Sequence, residues 1–263
     1  MTKLCMIGNS HVAAMRLAWD KVAPQHPEID AVIYGAHAKN LVTASVAADS
    51  SLRCEGPPFW TFKAGDAPNR AREIALRDFD VAVIVGCDFG PSCVFRTYRR
   101  YHFSGLKGRR RQSLTRDMFL RAMMQIINES AAMVLARMIR ESAGLPVYLV
   151  PTPLPAENGY LDREKANMEP YQAALDAGDG DALMSLYKEG CDRLANRGFN
   201  VIAQHESTQA SPISSLQSYS DNSVRLRADD DMPHPENDYF HMNEDYGAIM
   251  WGRVIETVTS GRA

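Results

Sequence analysis

Cysteine is scarce and scattered: the 263-residue chain has five, Cys5, Cys54, Cys87, Cys93 and Cys191, with no C-x-x-C pair. An odd, unpatterned set of thiols excludes a disulfide framework and a C-x-x-C zinc site, and it favours a reducing compartment. Long apolar runs are missing as well. A bilayer-spanning helix needs roughly 18 to 20 apolar residues, and Gly8-Asn9 cuts short the run at residues 4–7. Neither a membrane span nor a secretory leader is expected, and the expected location is cytoplasmic. Nor does one sign of charge dominate: 29 Lys plus Arg stand against 32 Asp plus Glu, a net charge of −3. That balance argues against nucleic acid as an obligate partner. Repeats and low-complexity tracts are missing too. What remains is 45% hydrophobic and 23% charged, the composition of a globular protein long enough to bury its core without staples.

What is there is an alternation of short apolar runs with amphipathic stretches. Residues 3–7 read as a strand ending in Gly8-Asn9-Ser10, and residues 12–22 place Val12, Met15, Ala18, Trp19 and Val22 at helical spacing. Residues 29–34 form a second strand closed by Gly35, residues 71–76 read as helical, and residues 81–85 form a third strand ended by Gly86. Residues 146–150 and 200–203 supply a fourth and a fifth. The third strand is apolar throughout, as a strand covered by helices on both faces must be. Residues 116–142 read as one long helix with a broad apolar stripe, and residues 181–197 and 243–257 as two more. This alternation predicts an α/β fold, a single doubly wound domain over residues 1–263 with a five-stranded parallel sheet of flavodoxin-like type. Three stretches, 36–69, 89–115 and 205–237, stay irregular. Loops of that length usually build a site or a lid, and ligands of open α/β sheets sit beyond the carboxyl ends of the strands, where these stretches lie.

Ser10 stands at the end of the first strand and the start of the first helix. A serine there is either an N-cap or a nucleophile set among free backbone N–H groups. A second constellation, Asp238-Tyr239-Phe240-His241, precedes the last helix. An aspartate three residues before a histidine can hold one ring nitrogen and leave the other for a serine hydroxyl; equally, Asp238 could cap the turn and leave His241 exposed. Both blocks belong at the same edge of the expected sheet. Between residues 96 and 121 nine cationic side chains, Arg109, Arg110 and Arg111 among them, face Asp117 alone, with Tyr98, Tyr101, His102 and Phe103 interleaved. The three consecutive arginines could gather an anionic substrate. A solvated face or an oligomer contact explains the same run, and stacking against nucleic acid is a minor alternative. His234, Asp238, His241 and residues 229–231 lack compact ligand spacing on one helix face, and a metal there would leave Ser10 unexplained, so no metal is expected. Cys87 and Cys93 are expected to be buried small hydrophobes.

With Gly8-Asn9-Ser10-His11 as one block and Asp238-x-x-His241 followed by Asn243, Tyr246 and Gly247 as the other, the chain resembles the SGNH hydrolases, also called GDSL lipases and esterases. The resemblance covers essentially the full length, with Asn9 where the family usually has aspartate. It implies a Ser10, His241 and Asp238 triad, no metal and no organic cofactor. It also implies an oxyanion hole built from the N–H of Ser10, the N–H of Gly35 and a side chain at position 88. There the family has Gly-x-Asn and this chain reads Gly86-Cys87-Asp88. An ionised aspartate only accepts hydrogen bonds, and losing one oxyanion donor typically costs about 10² to 10³ in turnover. Either the backbone of residues 89–92 substitutes, or the reaction is not plain ester hydrolysis. The implied function is a serine esterase that removes a small acyl group, such as O-acetyl, from a carbohydrate or other polar alcohol. Its partner would be a small-molecule or glycan ester, anionic if the arginines reach it. Transfer to a second alcohol by the same residues would make it an acyltransferase. The competing reading is a catalytically silent module of this fold that binds an anionic ligand. Oligomeric state is not legible.

Overall fold

Seven strands form the central sheet of the computed structural model, which describes residues 1–109, 112–226 and 232–260. They are β1 (Thr2–Gly8), β2 (Ile29–Gly35), β3 (Phe59–Phe62), β4 (Asn69–Ala71), β5 (Val81–Val85), β6 (Val147–Val150) and β7 (Asn200–Val201), in the order β7-β6-β5-β1-β2-β3-β4. β1, β2, β5, β6 and β7 are parallel, and among themselves they follow the strand order of a flavodoxin-like sheet. β3 and β4 extend that sheet as an antiparallel hairpin on β2. The expected five strands are thus corrected to seven.

The extra pair was hidden by its brevity. Phe59–Phe62 is four residues long and follows Gly56-Pro57-Pro58, so it reads as part of a loop. Residues 71–76 hold good helix formers, yet Ala71 ends β4 and Glu73–Ala75 pairs antiparallel with Ser51–Arg53. Ladder pairing outweighed intrinsic propensity there. The single helix expected at 116–142 is also corrected, to two helices. Ser130 is extended (φ −62°, ψ 148°) between Arg116–Glu129 and Ala131–Ala143. Its hydroxyl donates to the Ile127 carbonyl (2.7 Å) and accepts the Met133 N–H (3.3 Å), satisfying an orphan group on each side of the break.

The helices used below are α1 (Val12–Val22), α2 (Ser92–Tyr98), α3 (Arg116–Glu129), α4 (Ala131–Ala143), α5 (Glu169–Ala177), α6 (Gly180–Ala195) and α7 (Glu244–Ser260). Strand side chains alternate between two cores, as the two-residue period requires. Cys5, Ile7, Ala82, Ile84, Val147 and Leu149 pack with α2 to α6 on one face. On the other, Leu4, Met6, Val81, Val83, Val85 and Val150 pack with α1 and α7. Complete burial of each Leu, Ile or Val stabilises by roughly 1.5–3 kcal/mol.

The α1/α7 contact matters most for the site. Trp19 and Trp251 stack with centroids 4.1 Å apart, and the Trp251 indole N–H donates to the Met15 carbonyl at 2.7 Å. A Cβ at Gly247 would collide with the Ala14 carbonyl, so only glycine lets the helices approach this closely. Locking the two helices together fixes the segments just before them, residues 9–11 and 238–243, as neighbours. Among the described residues no helix is long and apolar enough to cross a membrane.

Candidate active site

The turn from β1 into α1 is closed by the Val12 N–H on the Asn9 carbonyl (3.0 Å) and the Ala13 N–H on the Ser10 carbonyl (3.1 Å). The buried Asn9 side chain accepts the His11 N–H at 3.3 Å. Position 11 is the N-cap of α1 and makes no side-chain cap bond. The Ser10 hydroxyl lies 2.8 Å from His241 Nε2 instead. Ser10 is thus not the N-cap of α1, and its hydroxyl faces an imidazole nitrogen.

His241 Nδ1 is 2.8 Å from Asp238 Oδ2, while Asp238 Oδ1 accepts the backbone N–H groups of Phe240 (3.0 Å) and His241 (3.1 Å). The loop is pinned from outside by the Ser220 hydroxyl on the carbonyls of Asp238 and His241 and by the Asn243 amide on the carbonyls of Ser218 and Asp221. A second imidazole shares the carboxylate: His234 Nδ1 is 3.1 Å from the same Oδ2. The His234 ring stacks on His241 at 3.9 Å and 8°, and His11 lies over the other face at 4.8 Å and 18°. The ring facing Ser10 is therefore held between two others. Burial alone would raise the Asp238 carboxyl, but hydrogen bonds from His234 and His241, the His241 charge and the Phe240 N–H outweigh it and hold it well below the usual carboxylate range. An ionised Asp238 only accepts, which assigns the His241 proton to Nδ1 and the lone pair on Nε2 to the Ser10 hydroxyl.

His11 is driven the other way. Burial, and then the charge of His241, lower it to about 3 from 6.5, so it stays neutral where the unfolded chain would bind a proton. A depressed histidine contributes stability above the unfolded pKa and loses it as pH falls, by up to about 1.4 kcal/mol per pH unit. Between pH 6.5 and 4.5 that amounts to about 2 kcal/mol, and Asp238 adds little in this window because its reference value is 3.8. Urea unfolding of His11→Phe, which keeps a flat ring against His241, is expected to show a pH dependence flatter by about this amount. Equal slopes in the two proteins would show that His11 is not the buried neutral group.

Ser10, His234 and His241 line a cleft of about 450 Å³ together with Ala36, His37, Trp60, Arg225 and Leu226. The stretches 36–69 and 205–237 supply its walls. Gly35 pairs with Gly8 across β1 and β2, and a Cβ on it would collide with Leu226. Asp88 is exposed and does not line the cleft. It ends a run of left-handed residues, Gly86 (φ 71°), Cys87 (52°) and Asp88 (60°), a conformation L-residues rarely adopt. Asp88→Gly, which accepts that φ freely, is expected to leave kcat within about threefold, against the 10² or more typical of a lost oxyanion donor. A larger fall in steady-state kcat would place position 88 in the oxyanion hole.

Arg109 is exposed and not part of this cleft, and Arg110 and Arg111 lie outside the described residues. Arg99 and Arg100 open onto separate surface depressions beside Tyr101 and Gln112. Cys87 and Cys93 are buried, and desolvation raises both thiols, Cys87 to about 12. Among the described residues, His234, Asp238 and His241 form the one cluster of ligand-type atoms close enough to hold a metal ion, within 4.8 Å of one another. His241 could join a metal only by giving up its bond to Asp238 or to Ser10, whereas His234 Nε2 is buried with no hydrogen-bond partner among the described residues. Sequence reasoning weighed His234 as a metal ligand alone, and the H-x-x-x-D-x-x-H spacing was the signal for its shared carboxylate. Trp60 and Arg225 carried no signal, because only the hairpin and the long loop bring them to the cleft.

The sequence matches no protein-family model and no curated protein. Among solved structures, the chain is similar to a DUF4886 family protein from Bacteroides uniformis, with a TM-score of 0.47 and 11% identity over 95% of this chain and 81% of that one. It is similar also to the lipase/acylhydrolase from Enterococcus faecalis (0.42, 12%, covering 99% and 96%). A third similar structure is a GDSL-like lipase from Bacteroides thetaiotaomicron (0.40, 10%, covering 98% and 89%).

Proposed function

We propose that the protein is a serine esterase that hydrolyses a small acyl ester of a polar alcohol, such as an acetylated carbohydrate. The observation that carries this reading is the unbroken chain from Asp238 through His241 to Ser10, with two links of 2.8 Å, opening on a cleft. His241 Nε2 takes the Ser10 proton as Ser10 Oγ attacks the ester carbonyl, and Asp238 stabilises the imidazolium that forms. The developing oxyanion is held by backbone N–H groups, those of Ser10 and Gly35 in this reading. The imidazolium returns the proton to the departing alcohol, leaving Ser10 acylated. A water, deprotonated by the same ring, then releases the acid. The cleft's size favours a short acyl group, and its polar lining of His37 and Arg225 favours a polar alcohol over a lipid.

The reading is tested without knowing the substrate. A small fluorophosphonate is expected to add once per wild-type chain by intact-mass analysis, at Ser10, and p-nitrophenyl acetate to be turned over. A folded protein that stays unlabelled would refute it.

A further inference from the structure

We propose that the cleft beside Ser10 takes an ester carrying a second, negatively charged group, and that Arg225 receives that charge. The proposal rests on the esterase reading for the reacting end of the substrate and adds the chemistry of the other end.

Exposed arginines of this protein commonly pair with a carboxylate, and half-buried Arg137 and Arg140 donate to backbone carbonyls. Arg53, Arg116, Arg163, Arg193 and Arg253 each reach a carboxylate at 2.6–2.9 Å. Arg225 is half-buried in the cleft wall, and among the described residues its guanidinium meets only the Met232 sulfur, at 3.6 Å. A thioether is a weak acceptor, so among the described residues this half-buried cation meets no counter-charge. Its place is fixed. The Arg225 N–H donates to the Met232 carbonyl and the His234 N–H to the Ser223 carbonyl, both at 2.8 Å, around an antiparallel bridge of Val224 with Pro233. Arg225 is thereby held opposite Met232, on the segment that carries His234, which is itself bonded to Asp238.

The rest of the cleft points the same way. Among the described residues no Asp or Glu lines it, and the Asp238 charge is spent on two imidazoles and two backbone N–H groups. Trp60, which lines the cleft, carries the Arg70 guanidinium over its ring at 3.6 Å. A concave site lined by an arginine and, among the described residues, by no carboxylate concentrates positive potential, and a guanidinium fork matches a carboxylate, phosphate or sulfate bidentately. The fitting substrate is a small anionic ester. The arginines of residues 96–100 sit on other depressions and play no part in the selection.

The test compares p-nitrophenyl acetate with two anionic esters, p-nitrophenyl hemisuccinate (charge on the acyl side) and 4-acetoxybenzoate (charge on the leaving group). Wild type is expected to prefer one anionic ester over the neutral one, and that choice tells which half of the substrate Arg225 faces. In Arg225→Gln the ratio of kcat/KM for the preferred anionic ester to that for the neutral ester is expected to fall by about 10- to 100-fold, through KM. Arg225→Lys should retain part of the ratio, and Arg99→Gln all of it. An equal loss on both ester classes, or no anionic preference in wild type, overturns the proposal. If fluorophosphonate labelling also fails, the esterase reading falls by itself. Succinate binding by calorimetry, present in wild type and absent in Arg225→Gln, then decides the anion site separately.

Discussion

Ser10→Ala is expected to lower kcat on p-nitrophenyl acetate by about 10⁴-fold or more, because among the described residues no other hydroxyl is bonded to His241 Nε2 and the covalent route closes. The residual rate would come from backbone donors and from water held beside His241. Stability should hardly change. Ser10 is only partly buried, its side chain makes a single hydrogen bond within the protein, and a bond of this kind contributes about 1 kcal/mol net. A variant that folds normally, binds no fluorophosphonate and has lost turnover is the expected result. A variant that turns over esters at the wild-type rate would remove Ser10 from the chemistry, whatever its distance from His241.

The parts of this molecule legible in the sequence are those where local pattern and tertiary structure agree. The apolar run of β5 announces a strand covered on both faces, and it is buried at every position. The two blocks that end at Ser10 and begin at Asp238 stand at helix starts, so strand order alone brings them to one edge. Failures occurred where a long-range contact overrules the local pattern. Residues 71–76 pair with Ser51–Arg53 instead of coiling, and the apolar stripe of residues 116–142 runs unbroken through Ser130 although the backbone does not. The cleft walls were the least legible. Trp60 reaches the site from a hairpin too short to announce itself, and Arg225 from within a long loop. The dense arginine run drew the reading of an anionic substrate to residues 109–111, of which Arg110 and Arg111 lie outside the described residues, whereas Arg225, which lines the cleft, has only Arg227 beside it in sequence.

Asp238→Asn tests how the carboxylate works, and its expected cost is about 10³ to 10⁴ in kcat. Asp238 has two donors on each side: the backbone N–H groups of Phe240 and His241 on Oδ1, and the ring nitrogens of His234 and His241 on Oδ2. An amide offers only one acceptor oxygen. If that oxygen faces the rings, the amide N–H₂ confronts two backbone N–H groups and leaves them without a partner, at a cost of about 1–3 kcal/mol each. The other orientation keeps the backbone bonds and turns N–H₂ toward both imidazoles, which must then accept on Nδ1 and carry their protons on Nε2. His241 would donate to Ser10 instead of taking its proton, and the nucleophile would lose its base. The second orientation costs less, so the variant should fold and be nearly inert to fluorophosphonate. Its acid stability should move the opposite way from its activity. The wild-type carboxyl is held below its unfolded value of 3.8, so its contribution is complete above that pH and is lost as pH falls through the acid range. An amide cannot titrate, and unfolding curves at pH 4 and pH 2.5 should lie closer together for the variant. Activity within tenfold of wild type would instead mean that His241 keeps its active tautomer without the charge, with the sandwich of His11 and His234 sufficient to orient the ring.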